Sequence, residues 1–212
     1  AEAWYQPALK RIPPGEQIVT VCALPLYHIF GFNTNMMLSM RMGGCNVLIA
    51  NPRDIPATLK ELSQVKFHSF PAVNTLFNAI AHHADFGKVD WSSLKISVGG
   101  GMAVQQATAK LWLEKTGCPI CEGYGLSETS PSVTCTPVDS TAYSGNIGLP
   151  MPGTDIRLLD DEGQDVPRVI GVAKLFAIPN IYVRPLAITS GGDNAIWFTT
   201  GATSGVGRIS YY

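Results

Sequence analysis

Charged side chains are scarce in this chain, and neither sign is in excess. Of its 212 residues 15% are charged, with 15 Lys and Arg against 16 Asp and Glu, so the net charge is −1. A nucleic-acid interface needs clustered Lys and Arg to neutralise phosphates. The composition therefore argues against a nucleic-acid partner, whereas 46% hydrophobic residues suit a globular protein with a substantial core.

Long apolar runs are also missing. The most apolar helical candidate, Ile29 to Met40, has only 12 residues before Arg41, whereas a membrane-spanning helix needs about 20. No basic stretch followed by an apolar run follows Ala1, so no signal peptide is predicted. We therefore expect no transmembrane segment and a cytoplasmic location.

Cysteine is present, but not in a pattern typical of a metal site. The pair Cys118-Pro-Ile-Cys121 has no second pair and no His-x-x-His partner at zinc-site spacing. A thioredoxin-type pair would open a helix, whereas 120–124 has the pattern of a strand. These cysteines are interpreted as ordinary buried thiols.

Strand-like and helix-like segments alternate from about Ile18 to Tyr124. Such alternation predicts an α/β fold with a parallel-rich sheet covered on both faces. The predicted strands are 19–24, 46–50, 68–70, 94–98 and 120–124, and the predicted helices are 29–40, 56–65, 73–83 and 105–116.

The helical pattern stops after about Ser130. Residues 156–159, followed by the turn 160–163, are typical of one arm of a β-hairpin. Beyond a change of composition near Pro167, short β runs alternate with Gly-rich turns. The sequence predicts a small antiparallel meander over 172–210, with strands at 187–189, 196–199 and 206–210.

Two loops carry residues suited to ligand binding, and each follows a predicted strand. The first contains Gly99, Gly100 and Gly101, which let the backbone approach a ligand, although such a run is also typical of a plain strand-to-helix turn. The second runs from Glu122 to Ser130 and offers an aromatic ring, hydroxyls and a carboxylate. Ligands in open α/β sheets bind at the carboxyl ends of strands, so we expect the two loops to lie together.

The order of these motifs resembles that of bacterial long-chain fatty-acid–CoA ligases, which are adenylate-forming enzymes. Glu122 to Glu128 is similar to the family's Tyr-Gly-x-Thr-Glu signature, with Ser127 in place of the usual Thr. The other similar segments are 23–30, 51–54, 99–101, 144–150 and 160–163, so the resemblance covers about residues 1–167.

The resemblance implies an activity and a set of binding residues. Family members join a fatty acid to ATP, giving acyl-AMP, and then transfer the acyl group to CoA. It implies that Tyr124 stacks on adenine, Ser127 contacts the α-phosphate and Glu128 binds Mg²⁺. The backbone of Gly99, Gly100, Gly101, Gly123 and Gly125 would line the nucleotide pocket, and His28 would lie beside the acyl carboxylate. The full-length family member could also make peripheral contact with a membrane.

Parts of the family pattern are not found in this sequence. These are the Lys-Gly-terminated phosphate loop, the Tyr-x-x-Gly-Asp element and the later catalytic Lys. Because adenylyl transfer depends on positioned positive charge, we expect the chain to be inactive alone.

The last part of the chain resembles a different family of proteins. Residues 172–210 are similar to one blade of the virginiamycin B lyase propellers, with Trp197 and Phe198 inside the repeat. Propellers need about four to eight blades, so we expect a joined reading frame rather than a working lyase.

Three hypotheses follow for function. The chain is a fragment of a fatty-acid–CoA ligase, a non-catalytic remnant that binds an acyl chain or a nucleotide, or a propeller-type lyase fragment. The expected division is an acyl- and adenylate-binding subdomain over 1–135, the start of a β subdomain over 136–167, and a foreign β meander over 168–212.

Overall fold

The computed structural model describes residues 2–156 and three later strands, 185–190, 196–200 and 205–209. The chain divides into two compact units, Ala1–Thr154 and Asp155–Tyr212. The first contains a seven-stranded sheet and the second a three-stranded sheet.

The seven-stranded sheet is parallel over its first five strands. Its spatial order is β2-β1-β3-β4-β5-β6-β7, and only the pairings of β5 with β6 and of β6 with β7 are antiparallel. The mainly parallel sheet confirms the predicted α/β fold. Its strands are β1 Val19–Cys22, β2 Cys45–Leu48, β3 Ser69–Ala72, β4 Ile96–Gly99, β5 Ile120–Gly125, β6 Ser132–Cys135 and β7 Leu149–Pro150.

Helices connect the parallel strands, and local sequence signals set their ends. The side chain of Asp54 accepts a hydrogen bond from the Ala57 backbone N–H at 3.0 Å, which caps α4. Gly117, at φ 69°, ends α6 in the left-handed region. The helices are α1 Glu2–Leu9, α2 Ile29–Gly31, α3 Leu38–Met42, α4 Ile55–Leu62, α5 Asn74–His82 and α6 Gln106–Thr116, with 3₁₀ turns at Ala84–Lys88 and Ser127–Thr129.

The predicted continuous helix over 29–40 is wrong in its middle. A π-helical segment, Phe32–Met37, separates α2 from α3. Two buried polar side chains in it bond to backbone carbonyls: the Thr34 hydroxyl donates to Phe30 O at 2.6 Å, and the Asn35 amide donates to Val21 O at 2.9 Å. A pattern of apolar residues carries no information about these side-chain hydrogen bonds, which occur where the helix takes the wider π-helical turn.

Apolar residues cover both faces of this sheet. Alternate residues of β4 point to opposite sides: Ile96 and Val98 join a core with α1 and α2, whereas Ser97 accepts a hydrogen bond from the Trp112 indole on the other side. That other core is rich in aromatic rings and lies under α4, α5 and α6. The sheet is therefore covered on both sides, as predicted.

The second unit contains three antiparallel strands in the order β10-β9-β8. The pairing Gly207–Phe198 joins β10 to β9, and Ile188–Phe198 joins β8 to β9. This confirms the predicted β-rich segment. The predicted hairpin arm at 156–159 lies outside the described residues from 157 onward, as do its turn at 160–163 and the side chains of Trp197 and Phe198. The strands are β8 Pro185–Ser190, β9 Ile196–Thr200 and β10 Gly205–Ile209.

Candidate functional site

A cavity of about 260 Å³ lies at the carboxyl end of β4 and β5. Because β4 and β5 pair in parallel, with Gly99 opposite Glu122, the loops after them leave the sheet at the same edge. Both loops contribute to the cavity wall, which confirms the predicted adjacency. The residues that line it are Trp4, Tyr5, His28, Ile29, Phe30, Thr34, Val98, Gly100, Gly101, Gly123, Tyr124, Gly125, Leu126, Ser127, Pro131, Ser132, Cys135 and Met151.

The glycine loop reaches the cavity with two of its three residues. Gly100 and Gly101 line it, whereas Gly99 faces Val104 and Ile120 on the other side of the sheet. A Cβ at Gly100 would lie 3.0 Å from the Phe30 ring, closer than such atoms normally approach. Glycine at this position therefore allows the Phe30 ring, which also lines the cavity, to pack against the loop.

The loop after β5 turns back sharply onto itself. A Cβ at Gly125 would overlap the Pro131 carbonyl oxygen, so only glycine allows this close approach. Ser130, at φ 56°, takes the left-handed conformation at the end of the 3₁₀ turn. The Thr129 hydroxyl bonds to the backbone of Leu126 and Pro131 and closes the loop. These contacts hold the backbone of the loop in place beside the cavity.

Most of the predicted site residues of this loop line the cavity, but one does not. Gly123, Tyr124, Gly125 and Ser127 line the cavity, whereas Glu128 is exposed and lies outside the lining. Burial raises the pKa of the half-buried Tyr124 phenol. The Tyr124 side chain is therefore partly shielded from water and also lines the cavity.

His28 stands at the entrance to α2. Its Nδ1 accepts a hydrogen bond from the Phe30 backbone N–H at 3.2 Å and so caps the helix. The same side chain lines the cavity. His28 therefore both caps α2 and lines the cavity.

Glu122 is a polar residue to which no sequence motif assigns a separate role. Burial raises the pKa of its carboxyl to about 7, partly offset by a hydrogen bond from the Gly145 backbone N–H. Its Oε2 is buried and has no partner among the described residues. The available sequence signal was an acidic residue, Glu122, directly before Gly123 in a strand with apolar neighbours.

The first helix supplies a wall that no motif indicated. Trp4 and Tyr5 of α1 line the cavity together with the two loops. They are more than 60 residues away in sequence from their hydrogen-bond partners in the sheet. Short-range patterns carry no information about such contacts.

Metal-ligating side chains form no cluster in the described part of the chain. No three or more His, Cys, Asp or Glu side chains there are arranged to hold a metal ion. Cys118 and Cys121 are buried free thiols, as the sequence predicted. Nor does any helix in the described part have the length and apolarity to cross a membrane.

Comparison with known proteins places the chain in a family. The model of the AMP-binding enzyme family matches residues 2–173. A long-chain-fatty-acid–CoA ligase of Yersinia pestis is 52% identical over 166 residues, covering 78% of this chain and 29% of that protein. One from Escherichia coli O6:H1 is 48% identical over 165 residues, again 78% of this chain and 29% of the relative. The chain thus spans about three-tenths of the length of these relatives.

Solved structures share the fold. The anthranilate CoA ligase AuaEII in complex with anthranoyl-AMP superposes with a TM-score of 0.66 at 24% identity, over 93% of this chain and 33% of the other. Apo MatB from Rhodopseudomonas palustris gives 0.65 at 20% identity, over 94% and 35%. With the family model covering most of its length and ligases about half identical to it, this chain belongs to the family of AMP-binding enzymes.

Proposed function

We propose that the chain is part of an ATP-dependent fatty-acid–CoA ligase and contributes its acyl- and adenylate-binding subdomain. The observation that carries this proposal is the cavity in which the Gly100 loop and the Tyr124 loop meet an apolar wall. The names of the curated relatives, long-chain-fatty-acid–CoA ligases, support the same substrate class.

The proposed reaction has two steps in the full-length enzyme. A carboxylate oxygen of the fatty acid attacks the α-phosphorus of ATP, and pyrophosphate leaves. The thiol of CoA then loses its proton to solvent and its sulfur attacks the acyl carbonyl carbon, and AMP leaves with the electrons of the broken C–O bond. Each step needs the reacting groups held in line and shielded from water.

The nucleotide end of the cavity is assigned to the loop after β5. Tyr124 presents a half-buried ring on which adenine can stack, and the exposed Ser127 hydroxyl can donate to the α-phosphate. The backbone of Gly100, Gly101, Gly123 and Gly125 lets the ligand approach closely. Gly99, which faces Val104, supports the loop from the other side of the sheet.

Glu128 is proposed to hold Mg²⁺ together with the phosphates. Mg²⁺ bound to nucleotides usually takes one or two carboxylates and completes its shell with phosphate oxygens and water. A single exposed carboxylate next to Ser127 fits that requirement. The ion would supply positive charge to the phosphates.

The acyl carboxylate is assigned to the side of the cavity at His28. The Nδ1 of His28 is already used by the Phe30 N–H, so Nε2 is the ring nitrogen available to a ligand. We extend the proposal to a cytoplasmic enzyme that, in its full length, makes peripheral contact with a membrane as a source of fatty acid.

The proposal assigns regions beyond the cavity as well. Residues 1–135 would form the acyl- and adenylate-binding subdomain, 136–167 would begin a β subdomain, and 168–212 would be a foreign propeller-like meander.

One observation favours a second candidate, a binding module without chemistry. No Lys or Arg is among the cavity-lining residues in the described part of the chain. Positive charge at the phosphates is a large contribution to adenylyl transfer. This 212-residue chain would then bind nucleotide or fatty acid without turning them over.

The test is AMP binding to the purified chain by calorimetry, with ATP–pyrophosphate exchange measured on the same preparation. Tyr124→Ala should weaken AMP binding about 5-fold or more, because base–aromatic stacking contributes about 1–3 kcal/mol. Tyr27→Ala is the matched control, since Tyr27 is 93% exposed and outside the cavity lining. No exchange is expected. Equal loss in both variants, or no AMP binding, would contradict the nucleotide site, and measurable exchange would exclude the binding module.

A further inference from the structure

Two aromatic residues of α1 are fixed to the sheet by their polar atoms. The Trp4 indole N–H donates to Thr136 O at 3.1 Å, and the Tyr5 hydroxyl shares a hydrogen bond with Ser69 Oγ at 3.3 Å. Tyr5 is only 3% exposed. Neither ring can turn without breaking a bond to a different strand or loop of the same unit.

The apolar parts of the same rings border the cavity. Their centroids are 5.2 Å apart in an edge-to-face arrangement, which is a favourable geometry for aromatic pairs. Both rings pack against the core that contains Phe30, Val98 and Met151. The wall they form is therefore rigid before any ligand arrives.

The chemistry of this wall selects an apolar ligand. The indole N–H is the only donor of Trp4, and Thr136 O already uses it. A polar ligand group placed there would lose its bonds to water without replacement, which costs free energy. A hydrocarbon loses nothing on contact with the ring, and a preformed wall keeps the ordering cost low.

We infer that Trp4 and Tyr5 form the wall that contacts the hydrocarbon chain of a bound fatty acid, with Trp4 in direct contact. The inference rests on the proposed function, which it deepens by dividing the cavity into an acyl end at α1 and a nucleotide end at Tyr124 and Ser127. Neither residue lies in a motif that resembles the ligase signature.

The test uses cis-parinaric acid, a polyene fatty acid that fluoresces when bound and accepts excitation energy from nearby tryptophan. With the complete chain, energy transfer should be strong. Trp4→Phe keeps an aromatic wall, so the affinity should stay within about 2-fold while the part of the transfer that Trp4 supplies is lost. Trp91, Trp112 and Trp197 remain as donors and account for the transfer that is left. Trp4→Ala removes the wall and should weaken parinarate binding about 3–10-fold, with AMP binding unchanged.

A matched control separates loss of the wall from loosening of the helix. Arg41→Gln breaks the exposed ion pair between Arg41 and Glu2, 3.0 Å long, which also ties α1 to the rest of the unit. This variant should bind parinarate like the unmodified chain. Circular dichroism and thermal unfolding confirm that each variant is folded, and if Trp4→Ala does not fold, Trp4→Phe decides by energy transfer alone.

The outcomes are distinct. Unchanged energy transfer in Trp4→Phe would overturn the inference and leave the ligase assignment standing. So would weaker AMP binding with unchanged parinarate binding in Trp4→Ala, because Trp4 would then belong to the nucleotide end. No parinarate binding to the unmodified chain would overturn both the inference and the proposed acyl site.

Discussion

On one face of the seven-stranded sheet six aromatic rings contact one another, whereas the opposite face has glycines and cysteines and a cavity. The aromatic face centres on Trp112, whose ring centroid lies 4.8 Å from that of Phe77 and 5.2 Å from that of Trp91. Its indole N–H is bonded to Ser97. The six rings are Phe67, Phe70, Phe77, Phe86, Trp91 and Trp112.

The face under α1 and α2 is filled less completely. Cys121 and Cys135 are small side chains in its core, and Gly123 adds none. The space that remains is the 260 Å³ cavity. The usual pocket for a drug-sized ligand is about 300–1,000 Å³, so this one can hold a part of each proposed ligand, not a whole nucleotide together with a whole long acyl chain. The comparison suggests that stability resides on one face and ligand binding on the other.

The largest expected effect tests the aromatic face. Trp112→Ala should lower the free energy of unfolding by about 3–5 kcal/mol, because it leaves a cavity among rings and removes a buried hydrogen bond. Urea unfolding followed by circular dichroism measures it. Met40→Ala, at a residue 72% exposed, should change it by less than about 0.5 kcal/mol. A loss under about 1 kcal/mol in Trp112→Ala would show that this face does not hold the fold.

The second largest effect tests the face of the sheet that borders the cavity. Gly125→Ala should reduce AMP affinity by about 10-fold or more, because the added Cβ overlaps Pro131 and the loop must open. The free energy of unfolding should fall by no more than about 1 kcal/mol, since the loop is exposed. Calorimetry and urea unfolding measure the two quantities.

Gly87→Ala is the matched control for that substitution. A Cβ at Gly87 meets nothing within 4 Å, so neither binding nor stability should change appreciably. If Gly125→Ala lowered the free energy of unfolding by several kcal/mol and left the AMP affinity unchanged, the proposed separation of the two faces would be wrong.

The smallest effect concerns Glu122 and depends on pH. Burial raises the pKa of its carboxyl from 4.5 to about 7 in the folded chain, so the neutral form favours folding. That contribution is complete below about pH 4.5 and is lost as the pH rises towards and through 7.

Glu122→Gln should therefore raise the melting temperature at pH 8 by about 2–4 °C, corresponding to roughly 1 kcal/mol for a half-buried group screened by solvent. At pH 4.5 the two proteins should melt alike. Scanning calorimetry at both pH values checks this, with Glu128→Gln, at an exposed carboxyl, as the control. A constant difference at both pH values would contradict the assigned pKa.

Much of the fold could be predicted because its signals are local. The sequence predicts helices over 56–65 and 105–116, and the structure has α4 at Ile55–Leu62, capped by Asp54, and α6 at Gln106–Thr116, ended by Gly117. The parallel alternation of strands and helices was likewise predicted. The π-helical segment was not, since it accompanies the bonds of Thr34 and Asn35 to backbone carbonyls.

The site was predictable in part for the same reason. Gly100, Tyr124 and Ser127 follow strands, so their meeting at one edge follows from parallel topology. The wall of α1 could not be predicted, because it depends on tertiary contacts of Trp4 and Tyr5. The functional roles of the site residues remain predictions.

The bond between Trp4 and Thr136 also governs the order in which the protein can mature. The two residues are 132 positions apart, and a ribosome adding about 5–20 residues per second needs roughly 7–26 s to cover that distance. During this time β1, β2 and β3 can emerge and pair, and Tyr5 can meet Ser69, while the backbone partner of Trp4 has not yet been made. Until Thr136 is made, the nascent chain carries α1 without the partner of Trp4. A chaperone would be needed most during this interval.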